Sequence, residues 1–387
     1  MQSASSREEA QNTRLLRFLS LLLAVLVVVP PTRQDPVQSR RVAPGVEYER
    51  YVLPGPSRVD VLRIDLLTPS LVIESFRPDS LVPVSLQVRR RRIADAVILA
   101  AVNADFFSFK TSRPVGNQVV NGVFVSGVSS RRSHLGIVGR KRPIMAPLSF
   151  SGKCFLHGRM ASLAGINRTR REGETVLYNS YWGAKTEPDS AGIKAVLELA
   201  NSRWRVMDTV VTVVRALVEH GAAEIPEKGA VLVYTRLGGE RSCMVGDTLK
   251  FLLGFAGSTG RFNQVVGGAG RILRRGQAVI EEDTLAEGLK PAFMTTRHPR
   301  TFVGIDRDTT VMFLCTVDGR QRSSVGMNFR EMSEFLLKIG AWDAINLDGG
   351  GSTTMVINGS VVNTPSDSTG ERGVANSIQL LQRADNN

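Results

Sequence analysis

One loop near the C-terminal end combines residue types that can bind and attack a polar ligand. Asp348 is followed by three glycines and then by the hydroxyl residues Ser352, Thr353 and Thr354. Because glycines carry no Cβ atom, the backbone can turn sharply and its N–H groups stay open to a ligand. The apolar segment before Asp348 predicts a strand, so we expect the aspartate at the mouth of a pocket. A tight turn between two strands is the structural alternative.

Other catalytic and metal-binding patterns are absent from the sequence. It contains no P-loop, no G-x-S-x-G elbow and no H-E-x-x-H motif. Gly267–Gly270 lacks the G-x-G-x-x-G spacing of a dinucleotide loop, and the four histidines are scattered without metal-ligand spacing. We therefore predict neither a cofactor nor a metal ion.

The composition is that of an ordinary globular protein with a basic surface. Hydrophobic residues make up 42% of the 387 residues, and 49 Lys+Arg against 36 Asp+Glu give a formal net charge of +13. Such a surface attracts polyanions, whether nucleic acid, anionic lipid or anionic glycan. Aromatic residues are only 6% of the chain and no nucleic-acid-binding pattern is present, so we predict no nucleic-acid partner.

The N-terminal 45 residues are predicted to lie outside the folded domain. Residues 15–31 form an apolar stretch behind Arg7, Arg14 and Arg17, which is typical of the hydrophobic part of a signal peptide. The stretch is shorter than the roughly 20 residues of a spanning helix, and no A-x-A-type cleavage site follows it. We predict an exported protein (periplasmic, cell-surface or secreted), with cleavage and retention as a membrane anchor both open. Residues 32–45 are typical of a basic tether.

Residues 46–387 are predicted to form one domain of the α+β class. β-Branched and aliphatic runs predict strands over Val59–Leu66 and Leu71–Ser75, as a pair, and over Ala96–Asn103. Further strands or hairpins are predicted over residues 118–126, 229–235, 302–305, 311–317, 342–347 and 354–362. A helical apolar spacing after Asn328 predicts a helix that ends at Gly340. Because hairpins outnumber crossovers, we expect mixed, mostly antiparallel sheets with flanking helices.

The sequence around the glycine loop resembles the signature of the phosphodiester glycosidase family. The likeness is carried by INLDGGGSTTMVINGSVVNTPSD (345–367) and extends upstream to residue 298. Shorter stretches are similar at VNADFF (102–107), VGN (115–117), 166–186 and 265–277. The resemblance implies a hydrolase that cleaves the anomeric C–O bond of sugar-1-phosphate diesters, here in surface or extracellular glycans.

That reaction needs a carboxylate near the anomeric carbon and cations or N–H groups for the departing phosphate. The resemblance implies Asp348 as the catalytic carboxylate, either as nucleophile or as base on water. Capping of its own loop is the alternative. Arg300 is implied as the phosphate ligand, because guanidinium binds such oxygens bidentately, unless it forms a structural ion pair. Asp318 is implied as a second carboxylate or serves as a turn aspartate.

A wider set of polar residues is predicted to bind the substrate. Asn103 ends a strand and suits either sugar hydroxyls or strand-end amides. Asn346 points to the same face as Asp348, since the two alternate on one strand. Ser352 and Thr353 suit either the phosphate or the stabilisation of the loop. The full predicted set is Asn103, Asn117, Thr301, Asn346, Gly349, Gly350, Ser352, Thr353, Asp367 and Arg372.

Two other functions are compatible with these patterns. One is a non-catalytic glycan-binding or exopolysaccharide-assembly protein with the same fold, which would bind glycan without turnover. The other is a nucleic-acid phosphodiesterase, which would release nucleotides with a marked salt dependence. The sequence favours no particular oligomeric state.

Overall fold

The computed structural model describes residues 34–200, 203–236, 243–279 and 285–384. The predicted signal or anchor segment, residues 15–31, lies outside these ranges. Within them, no helix is both long enough and apolar enough to cross a bilayer. The residues from Gln34 onward cluster as one unit.

β-Strands dominate the described residues. The N-terminal half contains β1 (Gln38–Ala43), β2 (Val46–Leu53), β3 (Ser57–Asp65), β4 (Leu71–Phe76), α1 (Val84–Arg90), β5 (Ala96–Asn103), β6 (Phe107–Ser108), β7 (Arg113–Pro114), β8 (Gln118–Val120), β9 (Val123–Ser126), β10 (Ser133–Val138), β11 (Arg142–Pro147), β12 (Phe150–Leu156), β13 (Arg159–Leu163), β14 (Gly165–Ile166), β15 (Val176–Tyr178) and β16 (Ile193–Leu199). The C-terminal half contains β17 (Thr209–Val218), β18 (Gly229–Tyr234), β19 (Thr248–Phe255), β20 (Phe262–Gly267), β21 (Arg271–Arg274), β22 (Gln277–Ala278), α2 (Pro291–Thr295), β23 (Arg300–Ile305), β24 (Val311–Val317), α3 (Phe329–Lys338), β25 (Asp343–Asn346), a 3-10 turn (Gly350–Ser352), β26 (Met355–Ile357), β27 (Ser360–Val361) and β28 (Ser377–Arg383).

These strands form four larger sheets and one small hairpin. Sheet I has the order β1-β2-β3-β24-β23-β25-β21-β22, and sheet II has the order β27-β26-β5-β28-β4. Sheet III is β11-β10-β20-β8-β9, and sheet IV is β13-β12-β19-β17-β16-β18-β15-β14. β6 and β7 pair only with each other. Among the described strands every pairing is antiparallel except that of β14 with β15.

This topology confirms the prediction of mostly antiparallel sheets but corrects the predicted α+β class. The three α-helices whose bounds lie within the described residues have only seven, five and ten residues, so the described domain is nearly all β. The middle of the chain is also β, since residues Ile193–Leu199 and Thr209–Val218 form β16 and β17. Burial alternates along the first part of β17, as expected for a strand with one face on a core.

Two other predictions are wrong in detail. The segments predicted at 59–66 and 71–75 are strands, but β3 pairs with β2 and β24, whereas β4 pairs with β28. The turn between them carries the chain from sheet I to sheet II. Which sheet each strand joins depends on partner strands that are distant in the sequence. Residues 38–43, predicted as tether, form the edge strand β1. Exposed charged side chains such as Arg40 and Arg41 are common on edge strands.

Sheets I and II enclose a common apolar core, which sheet III completes. Val303 and Ile345 of sheet I belong to the same buried cluster as Val102 of sheet II and Val266 of sheet III. A second large core lies between sheets III and IV. The strand ends of sheets I and II that emerge from the common core are therefore held close together.

α3 covers the other face of sheet I and leads the chain into the glycine loop. The side chain of Asn328 accepts from the N–H of Glu331, and the Glu331 carboxylate accepts from the N–H of Asn328. This capping box fixes the start of the helix, and Phe335 packs against the sheet. Gly340 follows the last turn with a φ of 94°, so the predicted helix and its glycine end are confirmed.

Candidate active site

The glycine loop carries the chain from sheet I to sheet II. It begins after β25, passes through the 3-10 turn Gly350–Ser352 and enters β26. The N–H of Leu347 donates to the Thr301 carbonyl of sheet I at 2.8 Å. The N–H of Asp348 donates to the Ala104 carbonyl, just beyond β5 of sheet II, at 2.8 Å. The loop thus lies at the seam where β5, β23 and β25 meet.

Close packing explains the three glycines. A Cβ atom on Gly349 would lie 2.6 Å from the carbonyl oxygen of Pro299. A Cβ atom on Gly351 would lie 2.2 Å from the guanidinium of Arg372. Gly350 has a φ of 62°, in the left-handed region that glycine adopts without a steric penalty. The loop is therefore a tightly packed turn that holds Asp348 in one place.

Asn103 fixes this loop. Its Nδ2 donates to the Asp348 carbonyl at 2.7 Å. Its Oδ1 accepts from the Thr301 hydroxyl at 2.7 Å and from the Thr354 N–H at 3.1 Å. The residue is buried, so the geometry favours the strand-end role over contact with sugar hydroxyls. The hydroxyl of Thr301, also predicted to bind substrate, likewise forms a hydrogen bond within the protein, to Asn103.

The Asp348 carboxylate is half-buried at the seam. Its Oδ1 accepts from the N–H of Gly349 at 2.9 Å. Burial raises the pKa of Asp348 to about 6, while the nearby Ser352 hydroxyl, the Gly349 N–H and the charge of Arg372 oppose the rise. A carboxyl group that titrates near neutrality can accept a proton or attack as the anion under ordinary conditions.

A second carboxyl group, absent from the predicted set, lies beside Asp348. Asp105 follows β5 and is buried. Its Oδ2 accepts from the Gly116 N–H at 2.9 Å, and its Oδ1 has no partner among the described residues. Burial raises the pKa of Asp105 to about 7, and the negative charge of Asp348 adds to the rise, whereas Arg132 opposes it. The sequence signal for Asp105 is the stretch VNADFF (102–107), which resembles the family, but only Asn103 of this stretch belongs to the predicted site residues.

Two glycines make room for this second carboxyl group. A Cβ atom on Gly267 would lie 2.4 Å from Oδ2 of Asp105, and one on Gly116 would lie 2.7 Å from the same atom. The glycine-rich stretch at residues 267–270 therefore begins with a residue that forms part of the wall of the site.

Arg300 occupies the position across from Asp348. Phe302 pairs with Asn346 in the ladder of β23 and β25, and the Leu347 N–H donates to the Thr301 carbonyl, so the backbones of Arg300 and Asp348 lie at the same end of these two strands. Burial, followed by the positive charge of Arg320, lowers the pKa of Arg300 to about 10. Only the backbones of the two residues are therefore neighbours, since the charge that acts on the pKa of Arg300 is that of Arg320 and the charge that acts on the pKa of Asp348 is that of Arg372.

The guanidinium of Arg300 is buried without a counter-charge. Nε donates to the Met327 carbonyl at 3.2 Å, and Nη2 donates to the carbonyls of Phe293 at 2.6 Å and Thr296 at 3.0 Å. The rings of Phe293 and Phe329 lie 4.8 and 5.2 Å from its central carbon. In the described part of the chain no carboxylate pairs with it and Nη1 has no acceptor, so the alternative of a structural ion pair is not observed.

Arg320 is a further cation at the glycine loop and is absent from the residues predicted from the sequence. Its φ of 60° is uncommon for a residue with a side chain. Its Nη2 lies 3.2 Å from the position that a Cβ atom on Gly350 would occupy. No carboxylate of the described ranges pairs with it. Arg300 and Arg320 are thus two cations beside one loop without an anion between them, an arrangement that suits a phosphate.

Asp318 is not part of the carboxylate pair. Its Oδ2 accepts from Nε of Arg58 at 2.7 Å and also from Nη2 of the same residue. Its Oδ1 accepts from the Thr364 N–H at 2.8 Å and from Asn363 Nδ2 at 3.2 Å. This buried ion pair ties β3 and β24 to the chain after β27. The geometry therefore gives Asp318 a structural role and gives Asp105 the place predicted for it.

Two of the predicted asparagines also support the backbone. Asn117 is buried, its Oδ1 accepts from the Val128 N–H at 2.7 Å, and its Nδ2 donates to the Leu148 carbonyl at 2.7 Å. Asn346 donates to the Ala269 carbonyl at 3.0 Å. Both side chains hold loops around the site in place.

The remaining predicted residues line the loop and its rim. Asp367 and Arg372 form a bidentate ion pair, with distances of 2.8 and 3.0 Å, next to the loop. Ser352 and Thr353 are buried, and the hydroxyl of Thr353 has no partner among the described residues. In the same ranges, no group of three or more His, Cys, Asp or Glu side chains is arranged to hold a metal ion.

Comparison with known proteins confirms the predicted resemblance. The model of the family described as phosphodiester glycosidase matches residues 193–381. The match includes the glycine loop, Arg300, Arg320 and Asp318, whereas Asp105 and Asn103 precede it.

Relatives are similar over short segments, whereas solved structures are similar over most of the fold. N-acetylglucosamine-1-phosphodiester alpha-N-acetylglucosaminidase of Bos taurus is 42% identical over 113 residues, which are 27% of this chain and 21% of the bovine chain. The Homo sapiens protein of that name is 39% identical over 113 residues, 27% of this chain and 22% of its own. The match thus spans about a fifth of these relatives. The crystal structure of a hypothetical protein from Synechocystis has a TM-score of 0.73 at 20% identity and covers 90% of this chain and 64% of its own.

We predict that Asp318→Ala lowers the free energy of unfolding by about 3 kcal/mol, because it leaves Arg58 without its counter-charge and the Thr364 N–H without an acceptor. Urea denaturation of the variant measures this loss. Asp308→Ala, at an exposed turn aspartate, is the matched control and should change stability little. An Asp318→Ala protein as stable as the wild type would show that the ion pair does not hold these segments together.

We predict that Asp105→Asn stabilises the protein at high pH. The folded-state pKa of Asp105 is raised from 3.8 to about 7, so its favourable contribution is complete below pH 3.8 and is lost as pH rises through 7. At pH 8 the variant should gain at most about 4 kcal/mol, the equivalent of roughly three pKa units. Denaturation at pH 8 and pH 4 tests this, since the gain must shrink at the lower pH. If the variant gains no stability, or gains the same stability at pH 8 and at pH 4, the raised pKa of Asp105 is contradicted.

Proposed function

We propose, from the match to the phosphodiester glycosidase family and from the site geometry, that this protein hydrolyses sugar-1-phosphate diesters at the anomeric C–O bond. The observation that carries the proposal is the carboxyl pair Asp348 and Asp105 at the glycine loop, where the backbone of Arg300 adjoins Gly349 and the guanidinium of Arg320 adjoins Gly350. The products would be a free sugar and a phosphomonoester. The reaction needs no redox step or cofactor.

The two carboxyl groups differ in pKa, which supports different roles in the reaction. Asp348, with a pKa of about 6, is mostly ionised at pH 7. It acts at the anomeric carbon, either by attack or by removing a proton from water. Asp105, with a pKa of about 7, retains a proton in much of the population and donates it to the departing phosphate oxygen. In glycosidases, one carboxyl group commonly acts as the proton donor and a neighbouring one as the nucleophile or base, because their pKa values differ.

The cations would stabilise the leaving group. Negative charge develops on the phosphate as the C–O bond breaks, and pre-positioned guanidinium groups lower the energy of that transition state. Arg320 lies against Gly350, and Arg300 retains one N–H group without an acceptor in the described part of the chain. A phosphate is also a weakly basic leaving group, so less is required of the proton donor than in ordinary glycosidases.

We further propose that the substrate is a surface or extracellular glycan and that the protein is exported. The apolar residues 15–31 behind three arginines support export, with cleavage or retention as a tether still open. The net charge of +13 supports an anionic polymer as substrate. The bovine and human relatives are named for N-acetylglucosamine-1-phosphodiesters, which makes that sugar the first to try.

The test is turnover of the methyl phosphodiester of N-acetylglucosamine α-1-phosphate, with the glucose, galactose and mannose analogues beside it. Released reducing sugar is measured for wild type, Asp348→Asn, Asp105→Asn and the control Asp308→Asn. We expect kcat to fall about a thousandfold for Asp348→Asn and about a hundredfold for Asp105→Asn, within the range of acid–base catalysis. The control should match the wild type. Glycan binding by wild type without release of any of the four sugars would instead support the non-catalytic function.

We predict a bell-shaped pH dependence of kcat/KM. The acidic limb follows ionisation of Asp348 near pH 6, and the alkaline limb follows loss of the Asp105 proton near pH 7. The rate should therefore be highest between these values. In Asp105→Asn the alkaline limb should disappear while the acidic limb stays, because the amide does not titrate. An alkaline limb that persists unchanged in this variant would assign the proton to another group.

A further inference from the structure

A second basic cluster, Arg77 and Arg113, adjoins the candidate active site. Arg113 of β7 donates from Nη1 to the Tyr181 carbonyl at 3.3 Å and from Nη2 to the Trp182 carbonyl at 2.5 Å. Arg77 donates to the same Tyr181 carbonyl at 3.1 Å. The guanidinium of Arg113 also stacks on the Trp182 ring, 3.8 Å from its centre. Two half-buried cations thus converge on one neutral oxygen.

This convergence is unfavourable without an anion. Burial lowers the pKa of both arginines, and the charge of Arg77 lowers that of Arg113 further, to about 10. Asp79 and Glu187 influence them electrostatically, but both are exposed and neither forms an ion pair with them. Buried charges in proteins are normally paired. Within the described residues the cluster lacks its counter-ion.

Aromatic side chains connect the cluster to the candidate active site. Phe109, at the tip of the β6–β7 hairpin, is 68% exposed and packs on Phe107 with ring centres 4.9 Å apart. The guanidinium of Arg372 lies 5.9 Å from the Phe109 ring, and its charge lowers the pKa of Asp348. The hairpin that carries Arg113 on one strand therefore contacts the rim of the catalytic seam at its tip.

We propose that Arg77 and Arg113 bind a second phosphodiester of the same substrate chain while the first is cleaved beside Asp348. The inference rests on the proposed function and specifies the substrate class. That class is a glycan in which phosphodiesters recur along the chain, rather than a sugar that carries a single phosphate. The exposed ring of Phe109 offers an apolar surface to the sugar between the two phosphates, and guanidinium groups suit the second phosphate.

The experiment compares two substrates that differ by one repeat. One is the methyl phosphodiester of N-acetylglucosamine 1-phosphate, and the other carries one more N-acetylglucosamine joined by a 1,6-phosphodiester. If another sugar is turned over, the pair is made with that sugar. Arg77→Gln and Arg113→Gln are assayed singly and together, since glutamine keeps an N–H donor for the Tyr181 carbonyl. Arg140→Gln with Arg142→Gln, at two exposed residues in the turn after β10 and at the start of β11, is the charge-matched control. Thermal unfolding checks that each variant is folded.

We expect each single variant to raise KM for the two-phosphate substrate about tenfold, as for loss of one charge-assisted contact, and the double variant to raise it further. The kcat/KM of the double variant for the single-phosphate substrate should stay within about twofold of the wild type. The control pair should leave the kinetic constants for both substrates unchanged. Equal effects on both substrates, or none on either, would overturn the second subsite and leave the proposed reaction intact. No effect on either substrate is the result expected if the cluster binds an anion that is separate from the substrate. If the wild type cleaves neither substrate, the proposed function fails and the subsite with it.

Discussion

The candidate active site depends on the carboxamide of Asn103. One donor and one acceptor at the end of β5 bind the carbonyl of Asp348, the hydroxyl of Thr301 and the N–H of Thr354. Those partners belong to the glycine loop, to sheet I and to the entry of sheet II. A buried amide that satisfies three groups at once fixes their relative positions, since each of them left unpaired would cost on the order of 1–3 kcal/mol. The carboxylate pair is therefore positioned by a residue that need not touch a substrate.

Features decided by short stretches of sequence could be predicted. The hairpins around Asn121-Gly122 and Asn358-Gly359 form with positive φ at both residues of each pair, as such turns require. α3 and the strand over residues 96–103 were also predictable, because periodicity and apolar runs are local signals. The glycine loop was recognised for the same reason.

Features decided by distant partners could not be predicted. Asp318 and Asp105 each follow an apolar strand and look alike in the sequence. Arg58 neutralises Asp318, from 260 residues away along the chain, whereas glycines and another carboxylate surround Asp105. Which arginines lack a counter-charge is likewise a property of the packed structure. The same limit explains why the pairing of β3 with β4 was wrong, since strand partners are chosen across sheets.

The two carboxyl groups come from different layers of the fold. Asp105 follows a strand of sheet II, and Asp348 follows a strand of sheet I, with the apolar core of Val102, Val303 and Ile345 between those sheets. The gap between their oxygens is therefore set by how closely the layers approach, and in glycosidases that gap decides whether water fits between the groups. Under the proposed reaction, the thickness of this apolar core would set whether configuration at the anomeric carbon is retained or inverted, so the removal of a single buried methyl group becomes a way to tune catalysis.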